Sequence, residues 1–306
     1  MKYFIWTEAI GCGAILRPFL ESYAAHHDTP IHIIGYERDL EDLPRTGQFI
    51  PLVIGNPREG TTAPDSELRV SKNLVENAYE SGHNGTALVW AMLAKERSEE
   101  ILIHLDADTV FLGNVVDPVV EVALKGYGLV GTRRPYRHSR ANKSRWQRLA
   151  THFMADTVNT HCFAFRRDLL DESLRDLHML MRGAHPNRAI GVLFPVIDFF
   201  DRVSYRLMRR GGVFYLDSED QGRHGEHTHE SPHESKMITF SAVGSGYAFS
   251  RNPRADVPET YKHYAMKSYS LFANNLLGIK VDYEQLDNEF VKSQLSRLDR
   301  NSWTLS

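Results

Sequence analysis

Two cysteines in 306 residues, Cys12 and Cys162, are too few and too far apart for a disulfide framework or a thiolate zinc cluster. Both read as buried thiols in a reducing compartment. The chain also lacks any apolar run near the roughly 20 residues needed to span a bilayer. Its first apolar stretch, Tyr3 to Trp6, stops at Thr7-Glu8 and is too short for a signal-peptide core. A one-sided charge is missing as well. The formal net charge of −3 excludes a global basic field of the kind that holds nucleic acid through its phosphates. No repeat of solenoid period occurs, and the length leaves no room for a third domain. The expectation is a soluble, cytoplasmic protein that touches a membrane peripherally if at all.

What is present alternates strand and helix patterns. Tyr3–Trp6 reads as a strand, Ile15–His26 as a helix, and Ile31–Gly35 and Pro51–Ile54 as further strands. A helical pattern over Thr86–Ala94 leads into the apolar strand Ile101–Leu105, whose lack of alternation suits a central strand covered on both faces. Strands follow at Gly128–Gly131 and Thr160–Arg166, and helices at Asp168–Leu180 and Phe199–Arg210. The second helix stops at Gly211-Gly212, before a strand at Val213–Leu216. From Tyr261 onward the spacing is helical, with Phe272, Leu276, Leu277 and Ile279 as the packing face.

The strongest chemical signal is Asp106-Ala107-Asp108, directly after the central strand. Two carboxylates one residue apart at a strand end suit one hard divalent cation, which keeps open positions for phosphate oxygens. That strand end is also where open α/β sheets bind ligands. By the same argument Thr7 and Glu8 after the first strand, and Glu37 or Asp39 after the second, are placed for the base and ribose of a nucleotide.

These features resemble the GT-A fold glycosyltransferases, whose metal-binding DxD follows a central apolar strand. Further segments agree: Asn84-Gly85-Thr86-Ala87 resembles the stretch beside the nucleotide diphosphate, and Asn159 to Asp168 the strand with trailing arginine on the acceptor side. Ile197-Asp198-Phe199-Phe200-Asp201 resembles the place where inverting members hold a catalytic acid ahead of a helix. Lys262-His263-Tyr264-Ala265-Met266-Lys267-Ser268 resembles a C-terminal HYxxKS segment in which the histidine completes the metal site and the lysine faces phosphate.

The resemblance implies an α/β fold of GT-A type, a Rossmann-like nucleotide-binding domain with a mixed central sheet over residues 1–245, and a helical C-terminal extension over 246–306. It implies a metal-dependent transfer of a sugar from a nucleoside-diphosphate sugar to the hydroxyl of a glycan or other acceptor. Mn²⁺ or Mg²⁺ would sit on Asp106, Asp108 and His263. Asn84, Thr86, Asp106 and Lys267 would serve the diphosphate, and Arg166 would add a phosphate contact. Asp198 or Asp201 would act as base in an inverting reaction. A retaining reaction fits the same DxD wording and needs no such base.

Other readings stand beside this one. A nucleotidyltransferase would use Gly11-Cys12-Gly13 as its phosphate loop, and a binding module would use the acidic pair structurally. The tract His224–Glu230 places three histidines and two glutamates within seven residues, and His227 or His229 is an alternative third metal ligand. The run Arg133 to Arg148, with seven Arg or Lys and no acid, suits an anionic acceptor or a membrane surface.

Overall fold

The computed structural model describes residues 2–53, 93, 97–134, 157–169, 204, 207–216, 236–240, 242–251, 259–283 and 289–300. Their strands are β1 (Tyr3–Glu8), β2 (Ile31–Gly35), β3 (Phe49–Val53), β4 (Ile101–Leu105), β5 (Thr109–Phe111), β6 (Leu129–Arg134), β7 (Thr157–Arg166), β8 (Val213–Tyr215) and β9 (Met237–Thr239). The helices are α1 (Arg17–His26), α2 (Glu37–Leu40), α3 (Val116–Ala123), α4 (Val243–Arg251), α5 (Glu259–Phe272) and α6 (Glu289–Arg300). Seven strands form one sheet in the order β3-β2-β1-β4-β7-β6-β8, and β5 pairs with β9 separately. The large sheet is mixed: β1 runs parallel to β4 and β2 to β3, while β6 is antiparallel to β7 and parallel to β8. The expected α/β class with a mixed central sheet is what the chain adopts.

The chain forms two compact units, each made of three segments. In the first, residues 1–6, 54–104 and 117–231, the pairing of Tyr3–Trp6 with Ile101–His104 sits at the centre. Trp6 is fully buried, with His104 at 5.2 Å and Phe165 edge-on at 5.8 Å between ring centroids. Each such aromatic contributes about 1.5–3 kcal/mol through burial. The buried His104 keeps its Nδ1 3.2 Å from the carbonyl of Thr160. A Cβ on Gly128 would lie 2.6 Å from the Leu207 carbonyl oxygen, so only glycine admits the close approach of β6 to the helix ending at Gly211.

The second unit comprises residues 7–53, 105–116 and 232–306. Helix α1 opens with Pro18 in its first turn, where the missing N–H costs nothing. Ser22 on α1 accepts the N–H of Phe111 at 3.0 Å. One turn later, the Nε2 of His27 accepts the N–H of Val115 at 3.1 Å, while Nδ1 lies 3.2 Å from the Tyr23 carbonyl. Two side chains thus fix β5 and the loop after it on α1. The core beyond is Val110, Ile238, Phe240, Val243, Tyr247, Tyr269, Phe272, Val291 and Leu298. Helices α4 and α5 touch backbone to backbone at Gly246, where a Cβ would come within 2.0 Å of the Ala265 carbonyl oxygen.

One stretch went unread and one expectation needs correction. The segment after residue 235 is regular: it holds β9 and α4, which helical and strand periodicity did not announce. Ile279 is 43% exposed rather than packed, because Gly278 takes a left-handed conformation at φ +67° and ends the helical path before it. Phe272 and Leu276 are buried as expected. Among the described residues no helix is long and apolar enough to cross a membrane.

Candidate functional site

The site grows from the turn between β4 and β5. The N–H of Thr109 bonds to the Asp106 carbonyl at 3.2 Å, so the chain reverses within three residues. This puts the carboxylates of Asp106 and Asp108, both half-buried, around the buried Ala107. Burial, and then the charge of Asp106, hold the Asp108 carboxyl well above the ordinary carboxylate range. The backbone N–H of Val243, at the start of α4, bonds to that carboxyl and opposes the shift. The carbonyl of Asp108 also accepts the N–H of Phe240 at 3.0 Å. Between Phe240 and Val243 the chain passes through Ala242 at φ +64°, a left-handed conformation that costs a non-glycine residue about 1 kcal/mol or more.

A second loop, after β1, completes this cluster. The N–H of Ala9 bonds to the Ile34 carbonyl at 2.7 Å, and Gly11 turns at φ +70°. The N–H groups of Gly11 and Gly13 then converge on the carboxylate of Asp39, at 2.7 and 3.3 Å. Converging backbone N–H groups of this kind are an anion nest, and here a side chain of α2 occupies it. A Cβ on Gly13 would lie 2.2 Å from the Asp39 carbonyl oxygen, so the loop requires glycine there. Cys12, at the apex, is pushed far above the usual thiol range by burial and then by the charges of Asp39, Asp108, Asp106 and Glu8. That list of charges marks one acidic neighbourhood around the thiol. Cys162 is a buried core thiol, raised to about 12 by burial alone.

Thr7 is fully buried and its hydroxyl has no hydrogen-bond partner, as is true of the buried Thr109. Glu8 is half-buried beside the Cys12 loop, and Glu37 is exposed at the start of α2. His263 and Lys267 lie one turn apart on α5, both half-buried. The Nδ1 of His263 is 2.6 Å from the hydroxyl of Tyr283. Among the described residues, no group of three His, Cys, Asp or Glu side chains is placed to hold a metal ion. Arg166 forms a two-point pair with the carboxylate of Asp168, at 3.1 and 2.6 Å. Asn84, Thr86, Asp198, Asp201, the tract His224–His233 and the basic run beyond Arg134 lie outside the described residues.

Sequence reasoning missed two participants: Asp39 as the occupant of the loop after β1, and Val243 as the donor to Asp108. The apolar run Met237–Phe240, emerging from a polar tract, was the available signal for the second. The Nη1 of Arg251 donates to the Tyr247 hydroxyl at 2.6 Å, and its guanidinium lies over that ring, 5.6 Å from the centroid.

No protein-family model matches the chain, and no curated protein matches it. Solved structures do. The chain is similar to a crystal structure of an active-site mutant of LgtC, at 12% identity over 85% of this chain and 99% of that one, with a TM-score of 0.45. It is likewise similar to galactosyltransferase LgtC in complex with donor and acceptor sugar analogues, at 14% identity over 85% and 99% of the two chains, with a TM-score of 0.46.

Proposed function

We propose that the protein is a glycosyltransferase that moves a sugar from a nucleoside-diphosphate donor to an acceptor hydroxyl. The observation that carries this reading is the Asp106–Asp108 turn, two carboxylates forced together at the C-terminal edge of a central strand. Burying like charges side by side is unfavourable unless a cation offsets them. The oxygen donor set suits Mn²⁺ or Mg²⁺, held by Asp106 and Asp108. When bound, the ion neutralises charge that develops on the leaving diphosphate.

The chain's own groups divide the rest of the work. Thr7, Glu8 and Glu37 stand at the ends of β1 and β2 for ribose and base. Lys267, Asn84 and Thr86 serve the phosphates. Asp198, with Asp201 as its alternative, takes the proton from the acceptor hydroxyl in an inverting reaction. In a retaining reaction neither is needed, and the anomer formed, followed by NMR, separates the two. The arginine-rich stretch from Arg133 to Arg148 is the acceptor or membrane face. His263 is retained as the third metal ligand of this reading, with the Tyr283 hydroxyl against its Nδ1.

The nucleotidyltransferase reading is weaker, because its phosphate loop would need the Gly11 and Gly13 N–H groups that Asp39 already occupies. The first experiment is a panel of UDP-, GDP-, CMP- and dTDP-sugars assayed for hydrolysis and thermal stabilisation with and without Mn²⁺. A metal-dependent response lost in Asp106→Ala and Asp108→Ala supports the reading. No response to any donor overturns it.

A further inference from the structure

Helix α4 joins two features that the sequence keeps apart. Its first N–H bonds to Asp108, and its last residue is Arg251. Nine residues at the helical rise separate these ends by about 12 Å. That span is comparable to the reach from a diphosphate to the far edge of its own base. The loop after β1 packs against the same helix, with Ile15 and Cys12 in one apolar cluster with Val243 and Tyr247. Arg251 in turn feels the charge of Asp39, after the stronger influence of the Tyr247 hydroxyl.

Arg251 is exposed yet held in place. The Tyr247 hydroxyl takes one of its N–H groups and the ring supports its face, while Tyr247 itself is buried against Tyr269 with ring centroids 5.4 Å apart. A guanidinium carries five N–H donors and no acceptor, and among the described residues the Tyr247 hydroxyl takes one, which leaves donors for a ligand that presents oxygens. Asp39 supplies negative charge near it, and a fixed cation beyond the acidic turn has a distinct task. Building on the donor-binding reading above, the geometry points to Arg251 as the residue that reads the nucleoside end of the donor, by donating to carbonyl oxygens of the base. Uracil, thymine and guanine present such oxygens beside acceptor or N–H positions. Cytosine and adenine place an amino group, itself a donor, on the corresponding edge, and that group faces the guanidinium unfavourably.

The test is calorimetric binding of UDP, dTDP, GDP, CDP and ADP, each with Mn²⁺, to the full chain and to Arg251→Ala, Arg251→Lys and Tyr247→Phe. Wild type is expected to prefer an oxo base. Arg251→Ala weakens that nucleotide about tenfold and flattens the preference. Arg251→Lys recovers little, because one ammonium cannot reproduce the fork. Tyr247→Phe keeps the ring and loses the anchor, with a loss of a few-fold. Melting temperatures of the variants guard against misfolding, which the exposed position of Arg251 makes a small concern, and the Tyr247→Phe arm reads the same contact independently. If wild type binds a nucleotide through Asp108 and all three variants keep its affinity and base preference, the assignment of Arg251 falls while the transferase reading stands. If wild type binds none of the five, both fall.

Discussion

The two compact units differ in where like charge and backbone strain collect. In the first, buried His104 is turned to the Thr160 carbonyl, and the Asn159 amide donates to the Thr132 hydroxyl at 3.1 Å. The strands there are long and apolar, and Trp6, Phe163 and Phe165 fill the space between them. In the second, Asp106 and Asp108 crowd one turn, Ala242 adopts a left-handed conformation, and the Thr7 and Thr109 hydroxyls lack partners. Proteins tolerate such local violations where a ligand is to be met. The described strands of the first unit are therefore read as scaffold, and the acidic turn of the second as the metal-binding part of the site.

Substitutions can break or sharpen this contrast. The largest expected effect is in the scaffold: Trp6→Ala costs about 3–5 kcal/mol, measured as a lower urea midpoint with an unchanged slope. Gly246→Ala, which drives a methyl into the Ala265 carbonyl, costs about 1–3 kcal/mol. Asp39→Ala leaves the Gly11 and Gly13 N–H groups without their acceptor and costs about 1–2 kcal/mol, while Asp39→Asn, which keeps an acceptor oxygen, costs less.

The smallest effect has the opposite sign. Because the folded Asp108 carboxyl titrates above its unfolded value, the folded chain binds the proton more tightly. Its contribution is most favourable below the unfolded carboxylate range, near pH 4 and under, and is lost as pH rises through the raised folded value. Asp108→Asn, which stays neutral and can still accept the Val243 N–H, is expected to melt higher than metal-free wild type at neutral pH and to gain nothing from Mn²⁺. A lower melting temperature in that variant would break the contrast between scaffold and site.

Much of this was legible in the sequence, and the reasons differ by element. Strands β2 and β4 were read residue for residue, because an apolar run without alternation, bounded by polar turns, has few other meanings at that length. The Asp106–Asp108 turn was legible because its position depends only on the strand before it. Strand β9 was not, since three residues carry no period. Helix α4 was hidden by Gly244, Ser245 and Gly246, poor helix formers of which Gly246 is required by the close approach to α5. The role of Asp39 depends on Gly11 and Gly13, which are 28 and 26 residues away, and local patterns do not report such a pairing.

The pairing of Thr109 with Thr239 sets a schedule for synthesis. Until the chain has left the ribosome well past Arg251, strand β5 has no partner, Asp108 has no N–H from Val243, and the core around Val110 is missing Ile238 and Phe240. Contacts this distant in sequence form late and slowly. A nascent chain would thus carry its acidic turn long before the groups that pack on it exist, and premature termination within residues 116–235 would yield a chain unable to assemble the second unit.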